Sequence, residues 1–481
     1  MSFETIIGVE IHAELHTKSK LFCSCSTEFG AKPNANTCPI CLGLPGTLPV
    51  INEEAVNLAI KAGTALNCKI NKLNKMDRKN YFYPDLPKAF QTSQFDLPIC
   101  SGGYVEIDIE GVKKKIRINR IHIEEDAGKL LHLEDEPVSL IDYNRVGVPL
   151  IEIVTEPDLR SPKEAVIFLK TLKSILEYAE ISDCRMEQGS LRCDANISLR
   201  KFGQETYNTK VELKNINSFK ELQKALEKEE SRQRELYTYG EEYKIKQETR
   251  RWDSGKGRTV PMRSKEDAHD YRYFPEPDLL PIIIAEEQIE RIKNSLPEMP
   301  AQKQERFLKQ YGLSEKEASI IVDDKALSHF YEEVLTIGAN PKTAANWVLG
   351  DILRLLKEKE IPSEQIPVQP KSLCELLTLI ESGRISNTAG KEVFEEMFNS
   401  GKNAEEIVKE KGLSQISDTG ELEKIIAEIL DSNPDSIASY ASGKTQAAGF
   451  LMGQLMKASK GKANPKVAKK LLELRLKERL N

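Results

Sequence analysis

No run of apolar residues in this 481-residue chain approaches the length that spans a bilayer. The first residues, Met1-Ser2-Phe3-Glu4-Thr5, supply neither a basic n-region nor an apolar h-region, so no secretory signal is expected. An excess of positive charge is missing as well. The formal net charge of −6 excludes a protein that binds polyanions over its whole surface, and leaves local basic patches as the route to nucleic acid. Internal repeats and low-complexity tracts are absent. Together these absences predict a cytoplasmic protein without membrane contact, whose nine cysteines stay reduced.

What is present is ordinary in bulk and specific in detail. Charged residues make up 30% and hydrophobic ones 40%, and the length suffices for two to four domains. Alternating segments fill the first part. Val105–Ile109 and Lys115–Glu124 predict a hairpin turning at Glu110-Gly111, and Leu191–Leu199 with Lys210–Ile216 predict a second antiparallel pair. Helices are expected over Glu53–Asn67, Ser161–Ala179 and Ser218–Glu235, the second capped by Ser161 with Pro162 at N1 and Glu164 at N3. From about residue 296 the pattern turns helical, with helices expected over Pro300–Tyr311, Ser314–Lys325, Ala326–Ile337 and Pro341–Lys359. The fold class is therefore α+β: a large, mainly antiparallel-sheet domain over 1–295, a helical domain over 296–405 and a small helical tail over 406–481.

The densest chemistry lies near the start, in Gly8-Val-Glu-Ile-His-Ala-Glu14. On a strand, Ile7, Val9, Ile11 and Ala13 share one face, and Glu10, His12 and Glu14 share the other. Further acids stand where mid-strand acids are uncommon unless they face water or an ion: Asp194 on one strand of the second pair, Glu212 on the other. Glu124-Glu-Asp126 ends the first hairpin, and such an acid run is either a solvated turn or a set of oxygen donors for a cation. Taken together, Glu10, His12, Glu125, Asp194 and Glu212 suggest one Mg²⁺–nucleotide site, in which His12 is the atypical member because magnesium prefers oxygen. In Asp77-Arg-Lys-Asn-Tyr-Phe-Tyr-Pro-Asp-Leu-Pro-Lys88, Lys79 and Lys88 are suited to phosphate and the aromatics to a base. A surface loop with packed aromatics is the plainer alternative.

Two more features are local. Cys23-x-Cys25 and Cys38-x-x-Cys41 suit a closed tetrahedral zinc knuckle over 23–41, with four metal-free thiols or an iron–sulfur cluster as alternatives. Between Met456 and Asn481 nine Lys/Arg, among them Lys457, Lys460, Lys462, Lys466, Lys469 and Lys470, face two acids. That is either a solvated helix face or an RNA-backbone contact. Ser442-Gly-Lys-Thr445 ends like a phosphate-binding loop but lacks the first Gly and sits in a helical tract.

Several of these stretches, in this order, resemble the B subunit of the tRNA-dependent amidotransferases. They include Gly8–His12, Asp77–Asp85, Ser93–Asp96, Glu124–Lys129, Pro149–Val154, Gly189–Ser198, Glu212–Asn215, Gln247–Arg250 and Tyr271–Asp278. The resemblance implies a cradle-like α+β domain, a helical domain and a helical tail that contacts tRNA. It implies partners too: an amidase-type A subunit acting as glutaminase, and a small C subunit. The implied activity is ATP- and Mg²⁺-dependent phosphorylation of the side-chain carboxylate of Glu-tRNA(Gln), and of Asp-tRNA(Asn). Amidation by ammonia from the partner follows, giving Gln-tRNA(Gln) and Asn-tRNA(Asn). It assigns Glu10, His12, Glu125, Asp194 and Glu212 to metal binding or its surroundings, and Lys79 and Lys88 to phosphate. Zinc rests on the cysteine spacing instead. A zinc-containing RNA-binding module leaves the mid-strand acids unexplained, and a stand-alone carboxylate–amine ligase lacks an identifiable amine site.

Overall fold

The computed structural model describes residues 3–133, 137–262, 270–413, 419–442, 446–459, 463 and 465–480. The chain divides into two compact units, Met1–Gln302 and Lys303–Asn481. The first is built on a ten-stranded sheet. Its long strands are β1 (Phe3–Glu14), β2 (Tyr104–Ile109), β3 (Val112–Glu125), β4 (Pro149–Thr155), β5 (Leu191–Lys201), β6 (Val211–Lys214), β7 (Thr249–Asp253) and β8 (Arg258–Pro261). Their order is β8-β7-β6-β5-β1-β4-β3, continued by Cys100–Ser101 and Lys69–Ile70, and β2 hairpins onto β3. Every pairing is antiparallel except β6 with β7.

Period-two alternation gives the sheet two unlike faces. Ile7, Val9, Ile11 and Ala13 of β1, each at most 1% exposed, point to the same side as Ile121, Ile123, Ile151, Ile153, Cys193, Ala195 and Leu213. Three helices cover that side: α1 (Glu53–Ala65), α2 (Pro162–Tyr178) and α3 (Phe219–Thr238). Their starts follow from capping. The side chains of Asn52, Ser161 and Ser218 accept from the backbone N–H of Glu54, Glu164 and Glu221. The β2–β3 turn places both Glu110 and Gly111 at positive φ, as a two-residue hairpin loop requires. The other face of the sheet is polar and carries the chemistry.

Within the second unit the chain is helical. After α4 (Glu286–Asn294) come α5 (Pro300–Tyr311), α6 (Glu315–Val322) and α7 (Lys325–Ile337). The single helix expected over Pro341–Lys359 is instead α8 (Pro341–Trp347) and α9 (Leu353–Glu358), joined by a π-helical turn at Val348–Ile352. Trp347, Val348 and Ile352, at and beside this turn, are all buried. α10 (Pro370–Glu381), α11 (Asn387–Ser400) and α12 (Ala404–Lys411) pack on one another. α13 (Thr419–Ser432), α15 (Gln446–Ala458) and α16 (Pro465–Leu480), with α14 (Pro434–Ala441) beside α15, hold a core of their own around Leu422, Ile426, Leu451, Leu455, Leu472 and Leu476. Among the described residues no helix is long and apolar enough to cross a membrane. The phosphate-loop-like Gly443-Lys-Thr445 lies outside the described residues.

Close approach of α1 to the sheet depends on a missing side chain. A Cβ on Gly63 would lie well inside contact distance of Cys100 Sγ and 2.7 Å from Ile70 Cδ1, both on the sheet's edge. Gly63→Ala, otherwise favourable to a helix, should therefore destabilise the chain by about 1–3 kcal/mol. Adding Cys100→Ala should restore part of that. A urea midpoint unchanged or raised in Gly63→Ala alone would show that α1 does not need this clearance.

Candidate active site and metal centres

Register brings the polar residues of five strands into rows. Arg192 of β5, His12 of β1, Glu152 of β4 and His122 of β3 form one cross-strand row. Asp194, Glu10, Val154 and Arg120 form the next. Asn196 of β5 and Glu212 of β6 pair one step further on. A bulge in β3, where the register shifts between Val154 and Thr155, sets which β3 residues join this face. Before it the buried isoleucines are Ile116 and Ile118, and after it Ile121 and Ile123, so His122 and Glu124 turn to the polar side.

His12, Glu124 and Glu152 offer ligand atoms that all lie within 4.8 Å of one another, which makes them a candidate cation site. His12 Nε2 is 3.4 Å from both Glu124 Oε1 and Glu152 Oε2. His122 Nε2 is 3.4 Å from Glu124 Oε2 and 3.1 Å from Glu152 Oε2. Burial works against charge on both imidazoles, yet the two carboxylates override it. His12 is pushed up to about 10 and His122 to about 9. Glu124 and Glu152 are correspondingly held below the usual carboxylate range by the two histidines, against their own burial. His122 Nδ1 is buried without a hydrogen-bond partner among the described residues.

Glu10, Asp194 and Glu212 form a second acidic group beside the first. Lys214 Nζ lies 2.8 Å from Asp194 Oδ2 and 3.2 Å from Glu212 Oε1, and Asn196 Nδ2 donates to Glu10 Oε1 at 3.1 Å. Burial, then the charges of Glu152, Glu212 and Asp194, push the Glu10 carboxyl above its ordinary value. Glu10 thus lies electrostatically between the two groups and feels both.

Glu125, grouped with these residues on sequence grounds, lies elsewhere. Its carboxylate bonds Lys88 Nζ and accepts from the Thr92 N–H at 2.8 Å. Being odd-numbered after the bulge, it points away from His122 and Glu124. Lys88, packed over the Phe22 and Phe90 rings, and Glu125 line a cavity of about 230 Å³ with Arg78, Glu276, Cys23 and Cys41. Lys79 stands over the Tyr271 and Tyr81 rings at 4.9 and 5.7 Å, with no ion-pair partner among the described residues. Glu152 and His122 join this cluster without being singled out from sequence, and Glu124 is read from sequence only as one of the acid run Glu124–Asp126. Glu152 had a signal, a lone carboxylate between Ile151 and Ile153 in a run otherwise apolar.

The four cysteines converge. Cys23, Cys25, Cys38 and Cys41 bring their Sγ atoms within 4.8 Å of one another. A tetrahedral site with Zn–S of about 2.3 Å needs sulfurs roughly 3.8 Å apart, so the cluster fits that ion. The Cys38 N–H donates to Cys41 Sγ at 3.1 Å, and the buried Lys20 ammonium lies 3.8 Å from the same sulfur. A hydrogen bond from Cys23 and the charge of Lys20 help draw the Cys41 thiol down to about 5, against its burial. Cys23, by its bond to Cys41 and by burial, is pushed up.

In the tail, Lys457, Lys469 and Lys470 are exposed, and Lys457 and Lys470 make no ion pair among the described residues. Arg475 and Arg479, by contrast, are tied to Glu423 and Asp431 of α13. Lys460 and Lys462 lie outside the described residues, as does the Lys466 side chain.

Comparison with known proteins follows the same division of the chain. A family model described as "GatB/GatE catalytic domain" matches residues 5–290, and one described as "GatB domain" matches 329–476. The chain is 68% identical over 478 residues to the B subunit of the aspartyl/glutamyl-tRNA(Asn/Gln) amidotransferase of Clostridium beijerinckii, covering 99% of this chain and 100% of that one. It is 65% identical to a B subunit of the same name from Clostridium acetobutylicum, with the same coverage. With the B subunit from Thermoanaerobacter pseudethanolicus it shares 56%, over 98% of this chain and 99% of that one.

The cysteine cluster makes its own prediction. Purified protein should carry about one zinc per chain by elemental analysis. Cys38→Ser should lose it, while Cys374→Ser, a cysteine of the second unit outside the cluster, should keep it. Wild-type protein free of zinc, or a Cys38→Ser variant that retains it, would remove the zinc assignment.

Proposed function

The chain belongs to the family of aspartyl/glutamyl-tRNA(Asn/Gln) amidotransferase B subunits, and we propose that it activates and amidates the side-chain carboxylate of a misacylated tRNA. The substrates are Glu-tRNA(Gln) and Asp-tRNA(Asn), the phosphoryl donor is ATP, and the products are Gln-tRNA(Gln) and Asn-tRNA(Asn). A free carboxylate resists ammonia because its leaving group would be oxide. Transfer of the γ-phosphoryl forms an acyl–phosphate bond, breaks the bond to the β-phosphate and releases ADP. Ammonia then attacks the acyl carbon, phosphate departs, and the nitrogen gives up its extra proton as the amide forms. The ammonia comes from an amidase-type A subunit acting as glutaminase, with a small C subunit completing the complex.

One observation carries this reading: a half-buried sheet face that gathers His12, Glu124 and Glu152 into a cation-sized cluster, with a second acidic group alongside. Phosphoryl transfer demands positioning and charge neutralisation more than covalent help. A divalent cation, Mg²⁺ or the more imidazole-tolerant Mn²⁺, held by His12, Glu124 and Glu152 would supply charge neutralisation for phosphate oxygens. Lys214 pairs with Asp194 and Glu212 and holds both carboxylates in place beside Glu10. Lys79, an ammonium over two aromatic rings without a carboxylate partner among the described residues, is suited to a phosphate oxygen. The apolar core beneath β1, β4 and β5 holds these side chains in register, so their spacing costs no reorganisation at the moment of transfer. The tail, with Lys457, Lys460, Lys462, Lys466, Lys469 and Lys470, supplies the tRNA-backbone contact.

Two measurements on the assembled complex test this. Glu152→Gln should raise the Mg²⁺ concentration for half-maximal Glu-tRNA(Gln)-stimulated ATP hydrolysis at least about tenfold, whereas Glu125→Gln should shift it less than about twofold. The reverse ranking would return Glu125 to the metal and remove Glu152. Deleting residues 414–481, which spares α12 and its packing, should weaken tRNA binding about tenfold in a salt-dependent way. Glutaminase activity should persist, and unchanged tRNA affinity would count against a role for the tail.

A further inference from the structure

A groove of about 730 Å³ opens at the β3 end of the polar face, lined among others by Lys69, Asn71, Phe95, Leu97, Asn119 and Arg120. Arg120 belongs to the same cross-strand row as Glu10 and Asp194, and the row continues outward through Ser101 to Lys69. The neighbouring arginines Arg192 and Arg145 both bond Asp126. Arg120 differs in making no ion pair among the described residues; its Nε, like that of Arg192, is buried without a hydrogen-bond partner among them. A buried guanidinium N–H left unpaired is costly, and an anion is the partner that matches its geometry. Lys69 is exposed and likewise without an ion pair among the described residues. One face of Phe95 stacks on Tyr273 at 4.3 Å and 8°, and the residue remains 48% exposed.

We propose that this groove holds the single-stranded 3′ end of the aminoacyl-tRNA, with Arg120 and Lys69 on phosphodiester oxygens and the open face of Phe95 under a base. The chemistry is that of single-strand recognition, cations along a backbone track beside a stacking platform. Two spacings of the sheet, roughly 9–10 Å, separate the Arg120 and Lys69 backbones. That span suits successive backbone phosphates better than the adjacent phosphates of one nucleotide. The groove is also open to solvent, as a strand passing out to the rest of a tRNA requires. An acyl group esterified at the strand's end would then meet the His12, Glu124 and Glu152 cluster. The inference rests on the phosphoryl-transfer reading above for its substrate.

The test uses the assembled amidotransferase with wild-type, Arg120→Gln, Lys69→Gln and Phe95→Ala chains. The KM for Glu-tRNA(Gln) and the KM for ATP are measured separately, and the Kd for Glu-tRNA(Gln) is measured without ATP. Arg120→Gln should raise KM and Kd for the tRNA about tenfold, and the other two variants about threefold, with the KM for ATP unchanged. Lys69 sits on a two-residue edge strand and is exposed, so its variant stays informative if Arg120→Gln disturbs folding. A rise in the KM for ATP alone would give the groove to the nucleotide and overturn the proposal. Unchanged values throughout would overturn it too and leave Arg120 a structural residue. Failure of the wider reading looks different: the wild-type complex would show no tRNA-stimulated ATP hydrolysis, while Kd still decides whether the groove binds RNA.

Discussion

Like charges set directly opposite each other across a sheet repel, and this fold places them so. Glu10 faces Asp194, and the row beside it carries Glu152 between two histidines. The sheet closes only because compensating groups sit in the same rows. His12 and His122 clamp Glu124 and Glu152, Lys214 bridges Asp194 and Glu212, Asn196 donates to Glu10, and Arg192 bonds Asp126. The apolar face supplies the stability that this arrangement consumes. Ile7, Val9, Ile11, Ile151, Ile153 and their helical cover hold in register a polar face that would not pair on its own merits. The register of this polar face is fixed, because a one-residue slip of any strand would invert both faces.

The cysteine cluster is tied into the same frame by Lys20. That ammonium is fully buried, donates to the Asn36 carbonyl at 2.7 Å and lies beside the Cys41 sulfur. A buried lysine survives only against concentrated negative charge. Four thiolates around one Zn²⁺ would carry a net −2, a charge that Lys20 is placed to meet. The loop that bears Lys20 also bonds the loop after β3 and its return: the Leu21 N–H donates to the Gly147 carbonyl at 2.7 Å. Cys41, Lys88 and Glu125 then line one cavity, so a change in the knuckle is mechanically close to the Lys88–Glu125 pair.

Much of this was legible in the sequence. The mixed sheet followed by helices, the β2–β3 hairpin, the β5–β6 pair and the cap on α2 all follow from local signals that tertiary packing does not contradict. Cysteine spacing sufficed to bring four sulfurs together, because short loops leave little else for them to do. The site was harder for a definite reason. A run such as Glu124-Glu-Asp126 does not say which acid faces which way, and the answer depends on one bulge. The phase change from Ile116 and Ile118 to Ile121 and Ile123 records that bulge in the sequence. Read through, it would have selected Glu124 and left Glu125 for Lys88. Glu152 was hidden differently. It sits in an apolar strand, and only its register with His12 gives it a partner, which is a non-local fact. The π-turn in the α8–α9 segment left no comparable trace.

The two acidic groups differ in what balances them, and the difference bears on mechanism. Around Asp194 and Glu212 the balancing charge is a lysine on the neighbouring position of the same strand as Glu212, an ammonium that stays charged throughout. Around Glu124 and Glu152 it is a pair of imidazoles, groups that give way to a metal ion because a neutral imidazole is itself a ligand. The first arrangement fixes a field; the second can exchange its occupants without leaving carboxylates bare. Glu10 lies between them and is coupled to both. A site meant only to stabilise the sheet would gain by replacing either group with apolar residues of similar volume. The sheet instead keeps one fixed and one exchangeable balance side by side on its polar face.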